Sequence, residues 1–265
     1  MKPYYENNNG VLYHGDCLEI MPQLEPVDLT VTSPPYDNLR TYNGYSFDFE
    51  GIAQQLYQVT KPGGVVVWVV GDATVNGSET GTSFKQALYF KDVCGFNLHD
   101  TMIYSRKSPP LTHNRYEQEF EYMFVFSKGK PTTFNGITTK RKYSDNRQFK
   151  SIRREKDGSF DFGYVKQGDV LRHNIWQYAT GGGCSSTDKI AFLHPAIFPE
   201  ALAQDHIISW SNPTGIILDC FAGSGTTLKM AERLNRRWIG IEISEEYCEI
   251  AAKRIDAENR QLKLF

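Results

Sequence analysis

The segment Thr32-Ser33-Pro34-Pro35-Tyr36 has the parts needed to act on an amine attached to an aromatic ring. Such an amine is a poor nucleophile because its lone pair is shared with the ring. The Ser33 hydroxyl and the Pro34 carbonyl can both accept its hydrogens. Holding both hydrogens pulls the nitrogen toward a tetrahedral form and frees the pair. Consecutive prolines preset φ, so the Pro34 carbonyl is held still. Tyr36 offers a ring on which a planar substrate can stack. An electrophilic carbon about 3–3.5 Å from the nitrogen then suffices for in-line transfer. No covalent enzyme intermediate is required, so Cys17 and Cys220 need not act as nucleophiles.

A second segment, Asp219-Cys220-Phe221-Ala222-Gly223-Ser224-Gly225-Thr226-Thr227, lies far downstream and follows the apolar stretch Ile216-Ile217-Leu218. It reads as strand, glycine loop, helix. The glycines permit a tight turn and close approach of backbone to a ligand. A helix starting near Thr226 points its first amides at whatever is bound. There is no Gly-Lys-Ser/Thr ending, which argues against an ATP phosphate cradle, and the dinucleotide GxGxxG spacing is missing. Glu242 ends the next apolar run. A carboxylate there can accept hydrogen bonds from the two ribose hydroxyls of an adenosine-containing ligand.

These segments carry a resemblance. DCFAGSGTT resembles the DPFxGSGTT signature, and SPPY the (D/N/S)PP(Y/F/W) signature, of amino-group DNA methyltransferases. The resemblance implies S-adenosyl-L-methionine as cofactor and Ser33, Pro34, Pro35 and Tyr36 as the catalytic motif. It implies that Asp219 positions the methionine part and that Phe221, Ala222, Gly223, Ser224, Gly225 and Thr226 form the cofactor loop, with Glu242 on the ribose. Tyr13 to Leu24, YHGDCLEIMPQL, resembles the segment preceding the catalytic motif, which places Asp16 near the adenine. HPAIFPEAL, His194 to Leu202, resembles the cofactor-side motif HPTQKPxxL, with Ile197-Phe198 in place of Gln-Lys. Cys220 replaces the usual proline. The catalytic motif precedes the glycine motif, which resembles the circularly permuted beta arrangement. That implies a Rossmann-like α/β fold with a seven-stranded mixed sheet, one strand reversed, and a small target-recognition insert. The serine form is more frequent among N4-cytosine enzymes. N6-adenine methylation is the alternative, and a catalytically inactive DNA-binding protein is the alternative of another class.

The elements that must position these motifs alternate along the chain. Val27–Tyr36 reads as a buried strand ending abruptly in a constrained loop. Phe49–Lys61 has apolar residues at helical spacing, stopped by Pro62-Gly63-Gly64. Val65–Asp72 reads as an inner strand, Ser83–Val93 as a helix, and Glu121–Gly129 as a strand. His194–Trp210 reads as helix-rich, Trp238–Ile243 as a strand, and the chain closes on a helix. Such alternation suggests α/β layers. Residues 1–130 are expected to form the catalytic half and 192–265 the cofactor half. The resemblance implies that residues 131–191 are the target-recognition region, which reads as irregular, a small β-rich module, or a mobile loop.

That middle region is locally basic. Between Lys140 and Lys156 there are eight Lys or Arg and two acidic residues, whereas the 265-residue chain has a formal net charge of -2. Lys140, Arg141, Lys142, Arg147, Arg153 and Arg154, with Arg40 beside the catalytic loop, are the candidate contacts to double-stranded DNA. The five cysteines fit neither a paired disulfide framework nor a metal site. No signal stretch or membrane span is seen, so a cytoplasmic protein is expected, and the resemblance implies a monomer or homodimer. A cognate restriction endonuclease is a possible genetic partner.

Overall fold

The computed structural model describes residues 1–35, 47–106, 116–140, 150–164, 169–181 and 183–262. Tyr36, Arg40, Arg141, Lys142 and Arg147, candidates from the sequence, lie outside the described residues. The chain divides into two compact units, Met1–Asn135 with Asn174–Phe265, and Gly136–His173.

The first unit is built on one mixed sheet of nine strands. They are β1 (Tyr5–Glu6), β2 (Gly10–His14), β3 (Val27–Thr32), β4 (Thr60–Val70), β5 (Asn97–Ser105), β6 (Phe120–Ser127), β7 (Ile175–Gln177), β8 (Ile216–Asp219) and β9 (Arg237–Glu242). Their spatial order is β1-β2-β9-β8-β3-β4-β6-β5-β7. From β2 to β4 all pairings are parallel, β6 is antiparallel to both β4 and β5, and β1 is antiparallel to β2. The expected seven strands are thus corrected to nine. β1 and β7, of two and three residues, cap the two edges of a seven-strand interior, and strands that short carry no readable periodicity.

Among the described residues six helices make the outer layers: α1 (Cys17–Ile20), α2 (Phe49–Val59), α3 (Thr82–Asp92), α4 (Glu200–Trp210), α5 (Thr226–Arg233) and α6 (Glu245–Leu262). Strand side chains alternate between faces. Val66, Trp68, Val70, Phe124, Phe126, Leu218 and Ile241 pack with Ile52, Leu56, Ala87 and Phe90 of α2 and α3. The other face is covered by α4, α5 and α6; Leu228 of α5 sits so close to Gly240 that a Cβ there would lie 2.3 Å from its Cδ1. β3 and β4 are consequently buried on both sides, which is why they read as near-continuous apolar runs.

One boundary differs from the sequence expectation. α2 ends at Val59 and β4 begins at once, so Pro62-Gly63-Gly64 lies within the strand. Gly63 takes φ +78, donates to the Lys128 carbonyl at 2.6 Å, and sits where the pairing of β3 with β4 shifts register. The glycine makes a bulge, not a stop.

Among its described residues the second unit has two antiparallel pairs, Lys150–Arg154 with Phe160–Tyr164 and Thr138–Thr139 with Val170–Leu171. The longer ribbon turns through Asp157-Gly158. There the Asp157 carboxylate accepts from the Ser159 amide at 2.9 Å and hydroxyl at 2.6 Å, and Gly158 has φ +87.

Candidate active site

Ligands bind open α/β sheets outside the carboxyl ends of the strands, where successive crossovers leave for opposite faces. Here that point lies between β8 and β3. α5 follows β8 onto one face, and α2 is the next helix after β3 on the other. A cleft of about 1480 Å³ opens there. Ser33, Pro34 and Pro35 line it from the end of β3, Phe221, Ala222, Gly223, Ser224 and Thr226 from beyond β8, and Glu242 from the end of β9. Asp16, after β2, and His194 complete the wall. The fold therefore brings these sequence candidates to one place. Asp219 and Gly225 lie beneath the wall.

Asp219 is 1% exposed. Its Oδ1 accepts from the Thr32 hydroxyl at 2.7 Å and from the Phe221 amide at 3.1 Å. Burial pushes the carboxyl up to about 6, against the lowering effect of these donors. Glu242 holds the loop directly: Oε2 accepts from the Gly223 amide at 2.7 Å and Oε1 from the Ser244 amide at 2.9 Å. Burial raises its carboxyl above the ordinary range, and the neighbouring Asp219 charge adds to that. Asp16 caps α1 by accepting from the Leu18 amide at 2.8 Å. His194 Nδ1 accepts from the Ala196 amide at 3.1 Å, and its ring stands edge-on to Tyr247 at 4.3 Å. The same ring abuts the loop, since a Cβ on Gly223 would meet His194 Nε2 at 2.9 Å. Burial pushes the Cys17 thiol up to about 12 and raises that of Cys220 as well, so neither supplies a ready thiolate.

Sequence reasoning missed what lies behind the loop. Arg254 of α6, with a side chain 1% exposed, donates from Nη1 to the Ser224 carbonyl at 2.6 Å and the Thr226 hydroxyl at 3.2 Å. Its Nε reaches Asp188 at 3.0 Å and its Nη2 Glu200 at 2.8 Å. Lys229 of α5 pairs with the same two carboxylates at 2.7 and 2.9 Å, and Arg233 with Glu258 at 2.7 Å. Three cations face three carboxylates; despite burial, Asp188 is held below the ordinary carboxylate range by Lys229 and Arg254, and Glu200 by the Ser186 hydroxyl at 2.6 Å together with the same two cations. The sequence signal was a Lys and an Arg at positions facing inward on α5 and α6. Thr32 was legible only as part of a β-branched run.

Of the basic candidates, Lys140, Arg153 and Arg154 are described, and all three are exposed in the second unit.

The chain matches the model of a DNA methylase family, N6_N4_Mtase, over residues 27–253. The chain belongs to this family. It is 56% identical over 248 residues to the orphan methyltransferase M.BamHII of Bacillus amyloliquefaciens, covering 91% of this chain and 90% of that one. It is 29% identical to the type II methyltransferase M.ScaI of Streptomyces caespitosus, covering 98% and 86%. Among solved structures, the cytosine-N4-specific PvuII DNA methyltransferase superposes with TM-score 0.70 at 22% identity, covering 99% and 95%. The complex of M1.HpyAVI with S-adenosyl-L-methionine superposes with TM-score 0.61 at 26% identity, covering 92% and 98%. The protein is thus an S-adenosyl-L-methionine-dependent DNA methyltransferase of the amino-methylating family. The donor set of the cleft suits that cofactor. The carboxylates of Asp16 and Glu242 match a molecule bearing hydroxyls and positive charge, and the rings of Phe221 and Tyr247 match its apolar parts. Among the described residues no helix is long and apolar enough to cross a membrane.

Proposed function

We propose that this methyltransferase modifies the N4 amine of cytosine at a specific sequence in double-stranded DNA. The observation that carries the proposal is the placement of Ser33-Pro34-Pro35 at the end of β3, in one cleft with Gly223, Glu242 and His194. Bound S-adenosyl-L-methionine supplies an electrophilic methyl carbon on a sulfonium. The chain does the rest. Each Glu242 oxygen already accepts one backbone N–H and keeps one lone pair for a ribose hydroxyl. Asp16 faces the adenine end, and the glycine loop, with Asp219 beneath it, seats the methionine end. The target base is flipped out of the duplex and stacks on Tyr36. The Ser33 hydroxyl and the Pro34 carbonyl accept its amine hydrogens and turn the lone pair toward the methyl group. The choice of cytosine over adenine rests on serine at the head of the motif.

Residues 131–191, with the basic ribbon at Arg153 and Arg154, serve as the target-recognition region in this reading. A nuclease recognising the same sequence would be the genetic partner. Methylation would then protect DNA against that nuclease in a digestion assay.

Nucleoside mass spectrometry of DNA incubated with the protein tests the base. N4-methylcytosine is expected, and N6-methyladenine in its place overturns the cytosine assignment. DNA left unmethylated by a protein that binds no cofactor would point instead to an inactive DNA-binding protein. Ser33→Ala is expected to abolish turnover while keeping cofactor affinity. Unchanged turnover would remove Ser33 from the mechanism.

A further inference from the structure

The cleft has two halves, divided by β3. The glycine loop, Glu242 and Asp16 follow β8, β9 and β2, all on one side of β3 in the sheet order. On the other side Gln86, Lys85 and Tyr89 line the cleft from α3, the helix packed on β5 and β6. Gln86 is held there by Trp68. That residue is the register partner of Thr32, immediately before Ser33.

Gln86 is 4% exposed, and its Oε1 accepts from Trp68 Nε1 at 2.9 Å. The indole nitrogen only donates, so the amide oxygen must face it. The amide orientation is thereby fixed by chemistry, and the N–H2 is the group Gln86 has left to offer the cleft it lines. Trp68 is itself fully buried and packed edge-on to Phe90 at 5.1 Å, which makes the anchor rigid.

An exocyclic amine that gives its hydrogens to Ser33 and Pro34 sits beside a ring nitrogen that accepts, N3 of cytosine or N1 of adenine. A buried acceptor without a donor is costly. We propose that Gln86 is a target-base recognition residue whose amide N–H2 donates to that ring nitrogen. It selects bases carrying an acceptor next to the amine and sets the amine against the methyl donor. The proposal rests on the reading that the flipped base binds beside Ser33-Pro34.

The test pairs a protein change with a base change. Wild type and Gln86→Leu are assayed on duplexes carrying the natural target base or its analogue with that nitrogen replaced by CH, 3-deazacytosine or 1-deazaadenine. Each single change is expected to lower kcat/KM about ten- to a hundred-fold. The two together are expected to cost little more than either alone, because they remove the same bond. Gln86→Leu also strips Trp68 of its acceptor, and purely structural damage of that kind would instead multiply with the base change. Multiplying losses therefore overturn the proposal. So does a wild type indifferent to the deaza base, which needs no variant to fold. Gln86→Glu, which presents an acceptor to an acceptor, is expected to fail like leucine, and wild-type activity in it would also overturn the idea. Calorimetric affinity for S-adenosyl-L-methionine should stay within about two-fold in Gln86→Leu. A loss there assigns Gln86 to the cofactor. All these outcomes leave the Ser33→Ala result untouched, so the two readings fail separately.

Discussion

The Thr32 hydroxyl donates to the Asp219 carboxylate at 2.7 Å, between residues 187 positions apart in the chain. The bond ties the strand that ends in the catalytic motif to the strand that ends in the glycine loop. A second tie runs back, from the Thr227 hydroxyl to the Val31 carbonyl at 3.1 Å. Thr32→Val keeps the side-chain shape and leaves a buried carboxylate short of a donor. It should cost about 1–3 kcal/mol in urea denaturation and weaken cofactor binding roughly ten-fold. A variant matching wild type in both would show that the two halves of the cleft are not coupled through this bond.

Asp219 gives the protein a signature against pH. Its unfolded carboxyl titrates near the ordinary value of 3.8, and burial moves the folded one up to about 6. Between these values the folded state keeps a proton that the unfolded state has released. Stability is therefore lost as pH rises from about 4 to about 6 and is level above that. The cofactor-free protein should lose on the order of 3 kcal/mol across the window from this group alone. Asp219→Asn removes the titration, so denaturation midpoints of variant and wild type should diverge between pH 4 and 6 and run parallel above. Parallel behaviour throughout would place the carboxyl at its ordinary value.

The pattern of what the sequence made legible follows from physics. β3 and β4 announce themselves because strands buried on both faces need unbroken β-branched runs. The catalytic and glycine segments are legible because their chemistry needs particular backbones, two fixed φ angles in one and two glycines in the other. β5 was not read: its exposed and buried positions alternate, and Asp100 and His99 interrupt it. Arg254 and Gln86 were also missed. Each acts through partners distant in sequence; Arg254 is marked only by its place on the inward stripe of α6, and a lone Gln on an amphipathic helix looks the same as a solvated one. Thr32 belongs with them, as a buried hydroxyl whose meaning appears only once Asp219 lies alongside.

The two loop glycines should fail for different reasons. Gly225 has φ +78, and a Cβ there would stand 2.8 Å from Ala251 Cβ and 3.0 Å from its Cα, a rigid helix backbone position. Gly225→Ala should therefore destabilise the whole unit by about 2 kcal/mol or more, seen as a lower Tm. At Gly223, with φ +49, a Cβ would meet the side-chain ring of His194 first, not a helix backbone. Gly223→Ala should show the larger loss in cofactor affinity relative to its loss in Tm. The reverse ranking would contradict the packing described.

Arg254 anchors the loop from behind through charge. Arg254→Met keeps much of the volume but leaves Asp188 and Glu200 sharing Lys229, with Arg233 at 4.0 Å from Glu200 as the one other cation paired with them among the described residues. Breaking a buried pair on one side costs about 3–5 kcal/mol, because an uncompensated charge stays behind. A destabilisation of that order is expected. It should shrink as pH falls from the ordinary carboxylate range through the depressed values of Asp188 and Glu200, because protonation removes the stranded charge. A loss independent of pH would show that packing, not charge, is what Arg254 supplies.

The basic ribbon separates two neighbouring arginines by face. Arg153 lies opposite Asp161 in register, and Arg154 opposite Phe160, on the face shared with Ile152. Ile152 and Phe160 are 65% and 57% exposed, an apolar surface on a unit rich in positive charge. A two-stranded ribbon fits the major groove, where one face reads bases and apolar groups meet thymine methyls. Arg153 has a carboxylate as its cross-strand neighbour, whereas Arg154 has none directly opposite. Arg154→Ala should therefore weaken binding to target duplex more than Arg153→Ala. It should also lower the slope of log affinity against log salt by about one if the contact is to phosphate. If Arg154 reads a base edge instead, the slope should hold while discrimination against one altered base pair falls by about 1–3 kcal/mol. Fluorescence anisotropy over a salt series, with cognate and single-mismatch duplexes, distinguishes these two results. Equal, small effects of both substitutions on every duplex would take the ribbon out of the DNA interface.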